Sequence, residues 1–308
     1  MKKFKDDVAI IGGAGFIGKN LCNCFDEEKI NYKIYDIVKP EASKNYEFLD
    51  VVSPKSLYKI SGSKCIINLA AENKDNVIPI SKYDDVNVRG AKNVCDAARK
   101  FDINTIIFTS SVAVYGFAKP NTDENGDINY FNDYGRTKFE AEEIYRKWFN
   151  EDPIKRTLII IRPTVVFGED NRGNVYNLLN QISSSKFLMI GNGKNIKSMA
   201  YVRNIAAFIR FSLNLNQGEH LFNYVDKPDI DMKTLVSLSR EMILNKKGMG
   251  MSLPSFAGLS IGKIFDFISM MTKKELPISS IRIKKFLSTT QFSSNVNETD
   301  FRPPFSLK

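Results

Sequence analysis

Residues 8–20 read VAIIGGAGFIGKN, and this stretch decides the fold. Four apolar residues, Val8–Ile11, run straight into glycines at 12, 13, 15 and 18. A β-branched run that meets glycines and then opens a helix is the setting a dinucleotide fingerprint requires. Gly12 permits a tight turn, Gly15 lets backbone approach a pyrophosphate, and Gly18 lets helix pack close on strand. The helix N-terminus then offers unpaired N–H groups and a favourable dipole to phosphate oxygens. Asp36 ends the next apolar run, 18 residues after Gly18. A carboxylate there accepts hydrogen bonds from both hydroxyls of an adenosine ribose and repels a 2′-phosphate. NAD is therefore the expected cofactor and NADP is disfavoured, although Lys39 lies nearby.

Outward from this turn, short apolar runs alternate with amphipathic stretches. Strands are expected at Tyr32–Asp36, 64–68 (KCIIN), Thr105–Thr109 (TIIFT) and 157–161 (TLIII), and helices at Phe16–Glu28, 84–101 and 132–149. Continuous apolar runs suit strands covered on both faces, and the alternation implies right-handed βαβ units in a parallel sheet. The fold class is thus α/β, a Rossmann-type doubly wound parallel sheet with a smaller C-terminal substrate-binding lobe. After Pro163 the rhythm changes, with Gly, Asn and Ser gathering in lengthened loops between 168 and 198. Residues 255–271 (SFAGLSIGKIFDFISMM) are apolar enough for a buried helix of the lobe, or for a helix lying on a membrane surface.

Composition narrows the chemistry. The chain has 308 residues, of which 43% are hydrophobic and 26% charged, as in ordinary globular proteins. No apolar run is long enough to span a bilayer, so any membrane contact is expected to be peripheral. The N-terminus lacks a small-residue cleavage site, so no secretory signal is expected. Cys22, Cys24, Cys65 and Cys95 form no paired CxxC units and read as reduced thiols of a cytoplasmic protein. His220 is the one histidine, which argues against a histidine triad or metal site, and it reads as a structural residue near a strand start. No metal is expected. The net charge of +9 is uneven: residues 240–308 hold 11 Lys or Arg against 5 Asp or Glu. That surplus suits a diphosphate, a lipid surface or nucleic acid, or a solvated basic surface. No aromatic stacking motif accompanies it, so a nucleic-acid partner is not expected.

The catalytic candidates lie further on. Tyr134 and Lys138 form YGRTK on an expected helix, four apart and so on one face. An ammonium beside a phenol lowers its pKa and lets the phenolate take a proton from an alcohol. Ser111 precedes the pair by 23 residues and follows the strand TIIFT, where ligands gather at the carboxyl ends of parallel strands. Its hydroxyl can hold the reacting oxygen.

Taken together, the chain resembles the extended short-chain dehydrogenase/reductases, the NAD-dependent epimerase/dehydratase group. The carriers are GGAGFIG (12–18), Asp50-Val51, NLAA (68–71), VNVRGAKNV (86–94), TSSVAVYG (109–116), YGRTK (134–138), RPTVVFG (162–168) and GNGKNIKSMAYVRN (191–204). The resemblance implies a cofactor site at Gly12, Gly15, Phe16, Ile17, Gly18, Asp36, Asp50, Val51, Leu69, Ala70, Ala71, Tyr134, Lys138 and Pro163. It implies catalysis by Ser111, Tyr134 and Lys138. A nucleoside diphosphate sugar would touch Ser111, Thr164, Lys197 and Arg282, with Lys285 a further phosphate candidate. It also implies a homodimer through the helices at 84–101 and 132–149. In domain terms, residues 1–165, with roughly 199–226 packing back, bind NAD, while 166–198 and 227–308 form the sugar-binding lobe.

Departures bear on the substrate. Asn68 stands where relatives often carry His, Thr164 where many carry Asn, Lys197 for the commoner Arg, and Asn204 for the usual Asp. Lysine meets phosphate as a point charge rather than a fork. Val112 and Ala113 stand where sugar dehydratases of the group usually carry Asp-Glu and decarboxylases keep the Glu. The acid for elimination is missing, which leaves epimerisation of a UDP-sugar through a transient keto-sugar as the expected reaction. A one-way 4-keto reductase would use the same residues. A non-catalytic cofactor- or RNA-binding protein is the reading from another class.

Overall fold

The computed structural model describes residues 7–41, 45–74, 77–272, 276 and 278–307. The first half alternates strand and helix as β1 (Val8–Ile11), α1 (Phe16–Glu28), β2 (Tyr32–Asp36), β3 (Tyr46–Phe48) and β4 (Cys65–Asn68). Next come α2 (Ser81–Tyr83), a π-helical segment (Asp84–Arg89) that joins it to α3 (Gly90–Lys100), β5 (Thr105–Thr109), α4 (Asp133–Asn150) and β6 (Thr157–Pro163). The second half holds β7 (Val165–Phe167), α5 (Asn174–Ser183), β8 (Met189–Ile190), β9 (Ile196–Tyr201), α6 (Val202–Ser212) and β10 (Glu219–Tyr224). It ends with β11 (Asp226–Asp231), α7 (Met232–Leu244), β12 (Ser252–Leu253), α8 (Ser255–Thr272) and α9 (Ser280–Leu287).

Seven strands pair in the order β10-β6-β5-β4-β1-β2-β3, all parallel. The order reverses between β1 and β4, which opens a crevice beyond their carboxyl ends. Strand pleating sends alternate residues to opposite faces. Val8 and Ile10 pack with Leu21, Phe25, Ile205 and Phe208 of α1 and α6. Ala9 and Ile11 pack with Ala91, Val94, Tyr145 and Trp148 of α3 and α4. Both faces are covered, which is why these strands read as unbroken apolar runs. His220 lies in β10, as its sequence position suggests, and all four cysteines are free thiols.

Small sheets β11-β9-β7 and β12-β8 build the remainder. Within 168–198, which reads as loop, α5 forms because Val175, Leu178, Leu179 and Ile182 recur at helical spacing and Ile182 is buried against Met189 and Val236. The expectation of a buried helix at 255–271 is corrected. The helix exists as α8, yet its buried residues are only Gly258 and Gly262. Phe256 and Phe267 are 74% and 60% exposed. The two glycines dock it closely on Ile190 and on the backbone of Ser280, which leaves its apolar side chains on the outer faces. The outer positions of α3 are Lys92, Asp96, Arg99 and Lys100, so this helix presents charges where the resemblance puts a dimer seam.

One polar network positions the site within this apolar frame. Glu142 of α4 and Arg162 of β6 are fully buried, and Arg162 donates to both carboxylate oxygens at 2.9 and 2.6 Å. Arg162 also donates to the Tyr115 hydroxyl at 2.6 Å, which donates to Asn223 Oδ1 at 2.8 Å. Ser110 donates to Glu142. Helix α4 is thereby tied to β5, β6 and β10. Glu142→Ala would leave Arg162 as a buried, unpaired cation. A loss of about 3–5 kcal/mol is expected in urea unfolding followed by circular dichroism. A loss of under about 1 kcal/mol, the scale of an exposed pair, would show that the network does not hold the helix.

Candidate active site

The glycine turn is built for close approach. Gly12 has φ +79°, and a Cβ on it would lie 2.5 Å from the Ala70 nitrogen. Gly18 allows no side chain either, because a Cβ there would meet the Gly13 oxygen at 2.5 Å. Gly15 is exposed and caps α1 without a side-chain hydrogen bond, so the first N–H groups of the helix have no side-chain acceptor. Asp36 accepts from the Ala14 N–H at 3.0 Å and from the Val38 N–H at 3.0 Å. Its carboxylate is therefore locked beside the turn, at the carboxyl end of β2.

The other cofactor candidates follow the carboxyl ends of neighbouring strands. Leu69, Ala70 and Ala71 follow β4 and stay partly accessible. The Leu69 N–H donates to Ile11 at 2.8 Å and the Ala70 N–H to Asn68 Oδ1 at 3.1 Å. The Asn68 amide donates to the Tyr145 hydroxyl at 2.7 Å, so an uncharged amide stiffens this turn. Asp50 folds back on the Val52 N–H at 2.9 Å, and the Val51 carbonyl is held by Asn93 at 2.8 Å. Phe16 and Ile17 open α1, and Pro163 ends β6. The residues on this edge fit an adenine dinucleotide: a cradle without side chains, a helix start facing it and a fixed carboxylate at one end.

The three catalytic candidates meet on the same edge. Ser111 follows β5 and accepts from the Ala113 N–H at 3.1 Å, which leaves its hydroxyl proton free to point elsewhere. Burial raises the Tyr134 phenol above its usual value, and the neighbouring Ser111 hydroxyl offsets this only in part. Lys138, one turn along α4, is 2% exposed and donates to the Thr109 carbonyl at 2.8 Å. Burial pushes its pKa down to about 7. Lys138 shares a helix face with Tyr134, and in this fold its ammonium donates to the strand-end carbonyl of Thr109. Val112 and Ala113 begin a 3-10 turn and bring no acid beside Ser111.

The substrate candidates are not gathered in the same way. Thr164 is buried and its N–H and hydroxyl both donate to the Tyr224 carbonyl, at 3.0 and 3.2 Å. Lys197 donates to the carbonyls of Lys285 and Ser288 at 3.0 and 2.6 Å, and burial lowers its pKa to about 8. It straps β9 to the end of α9. Asn204 is buried and exchanges two hydrogen bonds with the Phe305 backbone, at 2.9 and 3.0 Å. Arg282 lies on the exposed start of α9 and donates to the Leu276 carbonyl at 3.2 Å. Sequence reasoning missed a shelf beside the catalytic turn. Phe117 and Phe131 stack with centroids 4.8 Å apart, and Lys284 and Lys285 of α9 sit over their rings at 4.7 and 4.8 Å. Among the described residues no cluster of metal-ligating side chains occurs.

The depressed pKa of Lys138 has a stability signature. Between its folded value of about 7 and its ordinary 10.5, the unfolded chain binds a proton that the folded chain does not. Wild-type stability therefore rises with pH across that window. Lys138→Met removes this slope. Its stability relative to wild type should grow as pH falls from 10.5 to 7 and then level off, as read by urea melts. A pH-independent difference would mean that the lysine titrates normally.

Residues 8–224 match the family described as NAD dependent epimerase/dehydratase. The chain is 46% identical over 308 residues to an N-acetyl-α-D-glucosaminyl-diphospho-ditrans,octacis-undecaprenol 4-epimerase of Escherichia coli O157:H7, covering 98% of this chain and 92% of that protein. It is 23% identical to a UDP-glucose 4-epimerase of Vibrio cholerae, covering 88% and 87%. Its fold superposes with a TM-score of 0.69 on a UDP-glucuronic acid 4-epimerase of Bacillus cereus in complex with NAD, at 19% identity and covering 81% and 87%. The chain belongs to the NAD dependent epimerase/dehydratase family.

Proposed function

We propose that this chain is an NAD-dependent 4-epimerase of a sugar carried on a diphosphate, and that the carrier is a polyprenyl chain. The observation that carries the chemistry is Tyr134 placed beside Ser111 and one helical turn from Lys138 on the dinucleotide edge, with Val112 and Ala113 beyond. When bound, the dinucleotide supplies the acceptor and then the donor of a hydride, so that the sugar carbon passes through a ketone. As its phenolate, Tyr134 takes the hydroxyl proton as the carbon is oxidised, and returns it after the sugar has turned its other face. Ser111 holds the reacting oxygen through both steps. Lys138, poised near neutrality, can relay the proton along the strand end. Asp36 favours NAD over NADP by repelling a 2′-phosphate.

The polyprenyl reading draws its support from the Escherichia coli relative, whose likeness spans the lobe as well as the sheet. The second reading, a nucleoside diphosphate carrier, draws support from the fold's likeness to epimerases of UDP-sugars, the Bacillus cereus enzyme among them. In either case residues 166–198 and 227–308 form the lobe that receives the carrier, with Arg282, on the exposed start of α9, as its candidate contact.

Purified protein should interconvert the two 4-epimers of a polyprenyl-diphospho-N-acetylhexosamine from either side, without steady consumption of cofactor, as read by NMR of the released sugar. Tyr134→Phe should slow this by about 10²–10⁴-fold with the unfolding midpoint unchanged. A variant as active as wild type, or a product of altered mass, would reject the mechanism.

A further inference from the structure

Helix α8 departs from the rule that a surface helix turns its apolar side inward. Its inner face is made of Gly258 and Gly262, and Asp266 accepts from the Ser280 N–H at 3.2 and 3.3 Å. The glycines bring it against β8 and α9 with little side-chain burial of its own. Its outer face carries Phe256, Ile264, Phe267, Met270 and Met271, at spacings that place them along one side. Lys263 is exposed on that side and no acid shares it. The sequence around the helix is basic: Lys246 and Lys247 are exposed ahead of it, and residues 240–308 hold 11 Lys or Arg against 5 Asp or Glu. No described helix is long and apolar enough to cross a membrane.

We propose that α8 lies in the surface of an anionic bilayer and docks the chain there. Aromatic and methionine side chains enter the acyl boundary while lysines meet the lipid phosphates, which is the composition of an in-plane helix. A water-facing helix with this outer face would leave a contiguous apolar patch in solvent. The helix adjoins the site. It packs on α9, whose Lys284 and Lys285 cover the Phe117–Phe131 shelf beside the catalytic turn. For its purpose the docking rests on the polyprenyl reading: a diphosphate on a polyprenyl tail is met at the bilayer face, one helix away from Tyr134.

The test is co-sedimentation of the full-length chain with vesicles of phosphatidylcholine, with and without phosphatidylglycerol. Wild type should pellet with the anionic vesicles, and less so in high salt or with phosphatidylcholine alone. The combined variant Phe256→Ser, Phe267→Ser, Met271→Ser should bind at least roughly tenfold more weakly. Its melting curve, and its activity on detergent-dispersed substrate, should match wild type. Equal binding by wild type and variant would overturn the proposal, as would wild type remaining in the supernatant. If light scattering instead finds a dimer that the variant dissolves, with no vesicle binding, the face belongs to a second copy and the proposal fails. The two readings separate cleanly. A chain that binds vesicles but epimerises only nucleoside diphosphate sugars keeps the docking and loses the polyprenyl carrier. One that epimerises the polyprenyl substrate in detergent yet never binds vesicles does the reverse.

Discussion

Helix α4 can face the sheet because the charges it buries find partners in the strands. Glu142 meets Arg162 of β6 in a two-point pair, and Lys138 ends on the carbonyl of Thr109 in β5. A charge left unpaired at either position would be expensive in an interior of low polarity. The pairs therefore fix both the rotation and the height of the helix, and with them the place of Tyr134 at the carboxyl edge. Ser111 and the glycine turn share that edge because parallel strands align their carboxyl ends. The site is a consequence of strand direction plus one helix held by buried charge.

The order of groups around Tyr134 also bears on the choice of reaction. Its hydroxyl is tuned by a serine rather than by a neighbouring carboxylate, and Val112 and Ala113 supply no acid. Such a site can move a proton on and off one oxygen. Beside Ser111, Val112 and Ala113 place no acid that could expel a leaving group from the next carbon. Reversible oxidation at a single position is the chemistry left, which is what inversion through a ketone requires.

Local signals made most of the fold legible. The glycine turn, the apolar strands and YGRTK are each set by neighbours in sequence, so spacing alone located them. Three features were beyond that reach. Glu142 and Arg162 are 20 residues apart, and neither lies in a pattern that announces the pairing. Lys138 reads as the partner of Tyr134 from its helical spacing, but its reach to Thr109 depends on how the helix sits over β5. Helix α8 was legible as apolar, yet composition cannot say which way such a helix faces; that is decided by Gly258 and Gly262 against Ile190 and Ser280. The substrate side was the least legible. Lys197 and Thr164 look like ligand contacts by position, while their polar atoms bind backbone carbonyls of neighbouring segments.

Inversion through a ketone requires that the hydrogen removed from the sugar come back to the same carbon. A substrate carrying deuterium at C4 measures this directly, with both epimers analysed by NMR at equilibrium in ordinary water. Deuterium kept at C4 in both epimers is the expected result, because the hydride never meets solvent. Protium appearing at C4 as inversion proceeds would contradict it and point to proton exchange at carbon instead.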